Sequence, residues 1–142
     1  MIIYIDGIFD LFHFGHIESF RKCKELYADV TLIVGILSDK TASSYKRPPI
    51  YCESHRYALV ENSKYVDQII KDSPLIITKE FMEKYKIDLV VHGFFNTEDE
   101  QKQVDFFHYP KSINKFQTIS YCNEISTTKI IENILHSHYK KK

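Results

Sequence analysis

The sequence predicts an α/β domain in which a doubly wound, parallel sheet of five strands carries helices on both faces. Apolar runs and amphipathic stretches alternate five times along the chain, as expected where each strand of a parallel sheet is followed by a helix. The strongest run, VTLIVGIL at 30–37, is almost entirely apolar, which is typical of a strand buried on both faces. A length of 142 residues fits one domain, so we expect a single unit over 1–142.

The elements of the first half of the chain follow from its apolar patterning. Continuous apolar runs are interpreted as buried strands, and amphipathic stretches as helices. The polar segment 38–51 contains two adjacent prolines, so we expect it to be a loop. The elements expected in this half are a strand at 2–5, a helix at 16–27, a strand at 30–37, a helix at 53–62 and a strand at 66–70.

The second half continues the alternation. Thr78 is expected to cap a helix that runs to Tyr85, because its hydroxyl can accept hydrogen bonds from free backbone N–H groups. The other elements expected are a strand at 89–93, partly helical structure in 97–107, a strand at 116–120 and a closing helix at 126–138. In such sheets ligands bind beyond the carboxyl ends of the strands, where the strand order reverses. The loops that follow the first, second, fourth and fifth strands are therefore the expected site.

The composition limits the class of function. The 19 basic and 19 acidic residues cancel, whereas nucleic-acid-binding domains usually have a basic excess, so no nucleic-acid partner is expected. No apolar run approaches the roughly 20 residues that cross a bilayer. Three widely spaced cysteines form no CxxC pair, which favours reduced thiols and a cytoplasmic location. The terminal Lys140–Lys142 is expected to be a solvated tail.

The loop 6–16 (DGIFDLFHFGH) is the strongest candidate for a functional site. It lies between an expected strand and an expected helix, where free backbone N–H groups and the helix dipole favour a bound phosphate. His13 and His16 lie on one side of the first helical turn, so both imidazoles can donate hydrogen bonds to phosphate oxygens. Gly15 is expected to leave room for close approach of a ligand.

Other interpretations of this loop are weaker. It lacks the GxxxxGK[ST] and GxGxxG patterns, which excludes a P-loop and a dinucleotide-binding loop. Zinc binding by Asp10, His13 and His16 is a competing idea, but no fourth ligand with suitable spacing is evident. We therefore expect no metal site built by the protein alone.

The loop 6–16 closely resembles the signature of the cytidylyltransferases of phospholipid synthesis, which belong to the HxGH nucleotidyltransferase superfamily and have a Rossmann-like fold. The resemblance extends over nearly the whole chain and is closest to the choline-phosphate and ethanolamine-phosphate types. Further motifs follow in the family's order. They are Ser38-Asp39 with Lys46, His55-Arg56-Tyr57 with Lys64-Tyr65-Val66-Asp67, Val91-His92-Gly93, and Ile125-Ser126-Thr127-Thr128.

The resemblance implies transfer of CMP from CTP to a phosphorylated alcohol, either phosphocholine or phosphoethanolamine, with release of pyrophosphate. A phosphate oxygen of the acceptor attacks the α-phosphorus directly, so no covalent enzyme intermediate forms. Mg²⁺ is implied as a cofactor that binds together with the CTP phosphates. The partners implied are therefore CTP and a small phosphorylated alcohol.

The resemblance also implies which residues bind and react. Its catalytic residues are His13 and His16, which contact the α- and β-phosphates, and Lys46, which reaches the transferring phosphate and the acceptor's phosphate. The nucleotide-binding residues it implies are Asp6, Gly7, Ile8, Phe9, His13, Gly15, His16, His92, Ile125, Ser126, Thr127 and Thr128. The acceptor-binding residues it implies are Asp10, Lys46, His92 and Gly93.

The segment before Ile125 departs from the family pattern. The family usually has Arg-Thr-Glu-Gly there, whereas 121–124 reads YCNE. The missing arginine would have bound phosphate oxygens with two parallel hydrogen bonds, and Glu124 would repel phosphates unless it points away. Arg47, Arg56 and Lys129 are candidates to replace that arginine.

The positions expected to bind the acceptor also differ from the family pattern. Gly93 and Leu75 occupy the places where the choline type has an acidic residue and a tryptophan. The aromatic residues that can instead face an ammonium group are Phe94, Phe95, Tyr85 and Tyr109. Residues 126–130 also resemble glycerol-phosphate enzymes, so a glycerol-3-phosphate cytidylyltransferase remains an alternative.

A catalytically degenerate CTP-binding protein is the alternative from another class, whereas an adenylyltransferase is disfavoured because DGIFDLFH belongs to the cytidylyl branch. Family members commonly dimerise near the first motif and the segment 64–67, so we expect a homodimer. The long amphipathic lipid-binding tail of the animal choline enzymes is absent, so no stable membrane association is expected.

Overall fold

The computed structural model describes residues 1–139, and a five-stranded parallel sheet forms its centre. The strands are β1 (Ile2–Gly7), β2 (Thr31–Ile36), β3 (Gln68–Lys71), β4 (Leu89–His92) and β5 (Phe116–Thr118). Their order is β3-β2-β1-β4-β5, and every neighbouring pair is parallel. The order therefore reverses between β1 and β4, and this point is where ligands bind in sheets of this kind. The expected tail at Lys140–Lys142 lies outside the described residues.

Helices cover both faces of the sheet. They are α1 (Phe14–Glu25), α2 (Asp39–Ser43), α3 (Glu53–Glu61), α4 (Lys79–Lys84), α5 (Thr97–Lys102), α6 (His108–Ser112) and α7 (Thr127–Ile134). On one face Ile3 and Ile5 of β1 pack in a cluster with Phe20 of α1. On the opposite face Tyr4 packs in a second cluster with Met82 of α4. This alternation along one strand confirms the doubly wound α/β prediction.

The first helix begins two residues earlier than its apolar pattern indicates. His13 has an extended backbone (φ −141°, ψ 178°) and occupies the N-cap position, so that α1 starts at Phe14. Histidine is not among the usual N-cap residues, and the sequence pattern therefore does not mark this start.

The prediction that 38–51 is entirely loop is wrong. Ser38 caps a short helix, α2, because its Oγ accepts a hydrogen bond from the backbone N–H of Thr41 at 3.1 Å. Asp39 follows in the first turn, where a negative charge stabilises the helix dipole. The prolines prevent regular structure only in the second half of the segment.

The stretch expected to be partly helical contains α5 and a 3₁₀ turn at Val104–Phe107, and α6 follows without having been predicted. The closing helix α7 is capped by Ser126 and ends at Ile134, followed by a wider helical turn at Leu135–Tyr139. No helix within residues 1–139 is long and apolar enough to cross a membrane.

Candidate active site

A cleft of about 830 Å³ opens at the carboxyl edge of the sheet, beside the point where the strand order reverses. This volume lies within the range of roughly 300–1,000 Å³ usual for small-molecule sites. Its walls come from the segments that follow β1, β2, β4 and β5 and from residues of α1, α5 and α7. The parallel order of the strands brings these distant segments to one edge.

Two histidines complete the first turn of α1 by capping each other's backbone. The backbone N–H of Gly15 donates to His13 Nδ1 at 3.0 Å, and the backbone N–H of His13 donates to His16 Nδ1 at 3.2 Å. This is the arrangement of a capping box, with imidazoles in place of the usual hydroxyl and carboxylate. Because each Nδ1 accepts a hydrogen bond, each neutral ring carries its proton on Nε2.

Burial keeps both imidazoles neutral. It lowers the pKa of His13, and it lowers the pKa of His16 to about 3, with the neighbouring His13 as a second cause. The two rings stack with their centroids 3.7 Å apart, and Phe12 stacks against His16 from another side. Neutral rings so close together do not repel each other as two imidazolium ions would. Both histidines are thus fixed as Nε2–H donors at neutral pH.

Gly15 is small for a reason that differs from the sequence-based expectation. A Cβ at this position would lie 2.9 Å from Cε1 of His13 and 3.3 Å from the carbonyl oxygen of Ile125. The imidazole of His13 and the segment before α7 therefore occupy the space that a side chain would need.

The loop between β1 and α1 has an unusual backbone. Phe9 and Leu11 have positive φ angles of 58° and 47°, in the left-handed region that larger side chains rarely adopt. Such conformations cost free energy and persist where the surrounding structure holds them. Here the carboxylate of Asp10, which lies between the two, accepts three backbone N–H hydrogen bonds.

Asp6 and His92 lie side by side at the ends of β1 and β4 and line the cleft. His92 Nδ1 is 3.6 Å from Asp6 Oδ1, longer than an ordinary hydrogen bond, and this nitrogen has no hydrogen-bond partner within residues 1–139. Both side chains are nearly buried. The imidazole packs between the rings of Phe94 and Phe107, which fix its plane.

One wall of the cleft carries the basic residues of the segment after α2. Lys46 and Arg47 both line it, and the Lys46 ammonium lies 5.6 Å from the centre of the Tyr45 ring. The opposite wall begins at α7, where the Ser126 hydroxyl accepts a hydrogen bond from the Lys129 backbone N–H at 3.0 Å. A helix start of this kind offers free N–H groups to an anion.

Three residues were candidates to replace the missing phosphate-binding arginine, and the structure excludes Arg56. Its side chain is fully buried, and its guanidinium is hydrogen-bonded to three backbone carbonyls and to Asp39. Arg47 and Lys129 line the cleft, although the Lys129 ammonium donates to the Asn123 carbonyl at 2.6 Å. Glu124 is exposed and is not part of the cleft wall, whereas Glu132 is.

Most residues expected in the site line one cleft. The ones that do so are Asp6, Gly7, Ile8, Phe9, Asp10, His16, Lys46, His92, Gly93, Ser126, Thr127 and Thr128. His13, Gly15 and Ile125 are not among its lining residues, and His13 lies directly against His16. Asp67, the last residue of the motif Lys64-Tyr65-Val66-Asp67, instead supports the fold. It accepts hydrogen bonds from the Leu32 backbone N–H and from the Lys24 ammonium.

The aromatic wall differs from the expected one. Among the four expected aromatic residues, Phe95 lines the cleft, whereas Phe94, Tyr85 and Tyr109 pack against the apolar cluster around Met82. Tyr45 and Tyr121 line the cleft and were not predicted to do so. The position of Tyr45 directly before Lys46 was the signal available in the sequence.

The protein provides few ligands for a metal ion. Within the described part of the chain, no three His, Cys, Asp or Glu side chains come together as a possible metal site. Mg²⁺ retains several waters and is usually bound through substrate phosphates with one or two carboxylates. Asp6 is a carboxylate in the cleft that fits such a role.

Comparisons with known proteins identify the family of the chain. A family model described as cytidylyltransferase-like matches residues 4–133. Choline-phosphate cytidylyltransferase 2 of Arabidopsis thaliana is 36% identical over 137 residues, which cover 96% of this chain and 45% of that protein. Ethanolamine-phosphate cytidylyltransferase of Dictyostelium discoideum is 33% identical over 136 residues, covering 94% of this chain and 36% of that protein. The chain thus spans less than half the length of these two relatives.

A solved structure has the same fold over most of the chain. The lipopolysaccharide core biosynthesis protein from Thermoplasma volcanium GSS1 superposes with a TM-score of 0.68 and is 27% identical in sequence. The match covers 87% of this chain and 98% of that one.

Proposed function

The chain belongs to the cytidylyltransferase-like family, and on that premise we propose that it transfers a CMP unit from CTP to a phosphorylated amino alcohol and releases pyrophosphate. The observation that carries this proposal is the pair of histidines at the start of α1. Their mutual capping leaves two Nε2–H donors at a helix N-terminus, where phosphate groups bind.

The transfer needs donors that are aligned before the reaction begins. As the acceptor oxygen attacks the α-phosphorus, negative charge grows on the equatorial oxygens and on the leaving pyrophosphate. The Nε2–H groups of His13 and His16 stabilise that charge, and because both rings are already fixed, little reorganisation is needed. The Lys46 ammonium draws the acceptor phosphate and the α-phosphate together against their repulsion.

The start of α7 binds the triphosphate in this proposal. Ser126 uses its hydroxyl as the helix cap, so the backbone N–H groups of Thr127 and Thr128 remain available for phosphate oxygens. Lys129 and Arg47 supply the positive charge that the family's arginine would otherwise provide. Mg²⁺ bound with the phosphates would reduce the charge on the pyrophosphate as it leaves.

The acceptor class rests on two features of the cleft. Phe95 and Tyr121 are aromatic residues of the cleft wall, and aromatic rings attract an ammonium group. Asp99 lines the same cleft and adds a negative charge suited to a cation. The relatives are named choline-phosphate and ethanolamine-phosphate cytidylyltransferases, which also supports phosphocholine or phosphoethanolamine as the acceptor.

We further propose that the protein is a cytoplasmic homodimer. The three cysteines are free thiols, as expected in a reducing compartment. Phe14 is half-exposed beside the first motif, the region where a partner subunit is expected.

Pyrophosphate release from CTP tests the proposed reaction. We expect turnover with phosphocholine or phosphoethanolamine, little with glycerol 3-phosphate, and none when ATP replaces CTP. Use of ATP in preference to CTP would contradict the cytidylyl assignment. Turnover with glycerol 3-phosphate alone would contradict the amino-alcohol class and leave CMP transfer in place.

A CTP-binding protein without catalysis is the second candidate, and the YCNE sequence at 121–124 is what favours it. Thermal unfolding with CTP measures binding, since a ligand at 100 times its Kd stabilises the folded state by about 2.7 kcal/mol, and turnover then separates the two candidates. If CTP raised the melting temperature and no acceptor supported turnover, this second candidate would be correct.

A further inference from the structure

The segment that carries Lys46 is fastened at both ends by one buried arginine. At its start, Arg56 donates from its guanidinium to the Asp39 carboxylate at 2.7 Å. At its end, Arg56 Nε donates to the carbonyl of Tyr51 at 3.1 Å. The length of chain between these two contacts is therefore held as a closed loop with Lys46 inside it.

The same guanidinium joins this loop to the first motif. It donates to the carbonyl of Ile8 at 2.7 Å and to the carbonyl of Leu37 at 2.8 Å. Arg56 itself has no exposed surface, and its hydrogen bond to the Leu37 carbonyl is fully buried, where a charge-assisted hydrogen bond is strong. Arg56 thus fixes the Lys46 loop relative to the backbone that leads to the two histidines.

A second connection runs through Asp10, which is only 7% exposed. One carboxylate oxygen accepts from the backbone N–H of Ile50 at 2.8 Å, and the other accepts from Tyr51 at 2.9 Å and Leu11 at 3.0 Å. Both oxygens are therefore directed at backbone N–H groups. The Asp10 carbonyl also accepts from the Thr127 hydroxyl at 2.8 Å, which attaches α7 to the same point.

We propose that Asp10 and Arg56 are positioning residues that place Lys46 opposite His13 and His16, and that Asp10 does not bind the acceptor. Lysine carries its ammonium on a four-carbon stem of limited reach. The position of the backbone therefore decides which part of the cleft the ammonium can reach. A displacement of about 1 Å at a reacting group can cost on the order of a hundredfold in rate. This inference rests on the proposed CMP transfer.

The Asp10→Asn variant tests the connection with the smallest change. An amide offers one accepting oxygen, and its NH₂ would face the N–H of Ile50 or Tyr51, so one of the two bridging hydrogen bonds is lost. The rate of a single turnover is measured with enzyme in excess over labelled CTP, so that slow variants can be compared. We expect Asp10→Asn to lower that rate at least about tenfold in the otherwise unchanged protein.

A double-mutant cycle with Lys46→Ala separates positioning from other roles. If Asp10 acts through Lys46, Asp10→Asn should change the rate less than about twofold in the Lys46→Ala background. No lysine ammonium remains there for the Asp10 substitution to displace. An equal loss of rate in both backgrounds would overturn the inference, because Asp10 would then act independently of Lys46. Absence of turnover in the unchanged protein would instead refute the proposed function.

Asp67→Asn is the matched control. Its carboxylate also accepts a backbone N–H, from Leu32 at 2.7 Å, and it is not among the residues that line the cleft. We expect its effect on the rate to be the same with and without Lys46. Arg56→Lys, which keeps the charge but loses the multiple donors, should show the same dependence on Lys46 as Asp10→Asn.

Discussion

At the scale of single residues, His13 and His16 combine a structural and a chemical task. Their Nδ1 atoms satisfy backbone N–H groups at the start of α1, and their Nε2 atoms remain available to a ligand. Replacement by alanine therefore removes a helix cap and a phosphate donor together. Variants that keep only one of the two tasks are needed to assign the effect.

His16→Gln separates these tasks. Glutamine is a usual residue at this position of a capping box, and its side-chain oxygen can accept the His13 N–H. We expect both His16→Gln and His16→Ala to lower turnover at least about a hundredfold, the scale of losing one transition-state donor. Only His16→Ala should also lose about 1 kcal/mol of unfolding free energy, measured by urea denaturation.

An unchanged rate in His16→Gln would remove the imidazole from the mechanism. If both variants lost stability equally, the capping role of His16 would be refuted.

The sequence predicted which residues gather in the cleft better than what each one does there. The spacing of His13 and His16 predicts that the two imidazoles lie together, but not that His13 lies outside the helix as its N-cap. The positioning contacts of Arg56 and Asp10 could not be predicted, since they join residues 48 and 40 positions apart and end on backbone atoms. A carbonyl or an N–H leaves no signature in a sequence.

At the scale of elements, α7 differs in its attachment from α1, α3 and α4, each of which buries side chains. It buries none of its residues, and the hydroxyl of Thr127 fastens its first turn to the Asp10 carbonyl at 2.8 Å. The wall of the cleft that it forms therefore depends on polar contacts at its start more than on apolar packing. Its exposed Ile134 lies away from that first turn.

Thr127→Val should show this dependence. Valine keeps the shape and the β-branching of threonine but leaves the Asp10 carbonyl without its donor, which costs about 1 kcal/mol. We expect that loss in urea denaturation, together with faster amide hydrogen exchange in α7. Thr128→Val is the control for stability, because Thr128 is exposed and its loss should stay within about 0.5 kcal/mol. Equal losses in the two variants would contradict the proposed attachment.

Elements with an apolar run were predicted well, whereas short polar helices were not. β2 and β4 lie within a residue of their expected bounds, because buried strands are continuously apolar. α2 and α6 have five residues each, too few to show a helical period. Their stability depends on caps and on tertiary contacts that local pattern does not reveal.

At the scale of the whole molecule, the strand order creates the site. β1 pairs with β2 on one side and with β4 on the other, so the loop after β1 meets His92 at the end of β4. The alternation of strands and helices predicted at which edge of the sheet the cleft lies, but not which loops are neighbours there. That information depends on the pairing of β1 with β4, which is set by long-range packing.

The stability of the whole molecule should depend on pH through His16. Burial lowers the pKa of His16 to about 3, whereas a histidine in the unfolded chain has a pKa of about 6.5. Above pH 6.5 both states are neutral and this residue has no effect. Below it the unfolded chain binds a proton that the folded state does not, so stability falls by up to about 1.4 kcal/mol per pH unit until the pH nears the folded pKa.

His16→Gln isolates this contribution, because every other titrating group, including Asp67 with its lowered pKa, is present in both proteins. Between pH 7 and pH 5 we expect the unchanged protein to lose about 2 kcal/mol more unfolding free energy than His16→Gln. Chemical denaturation at several pH values measures the difference. Parallel losses in the two proteins would mean that His16 takes up a proton in the folded state, and the neutral pair of Nε2–H donors would then not persist in mild acid.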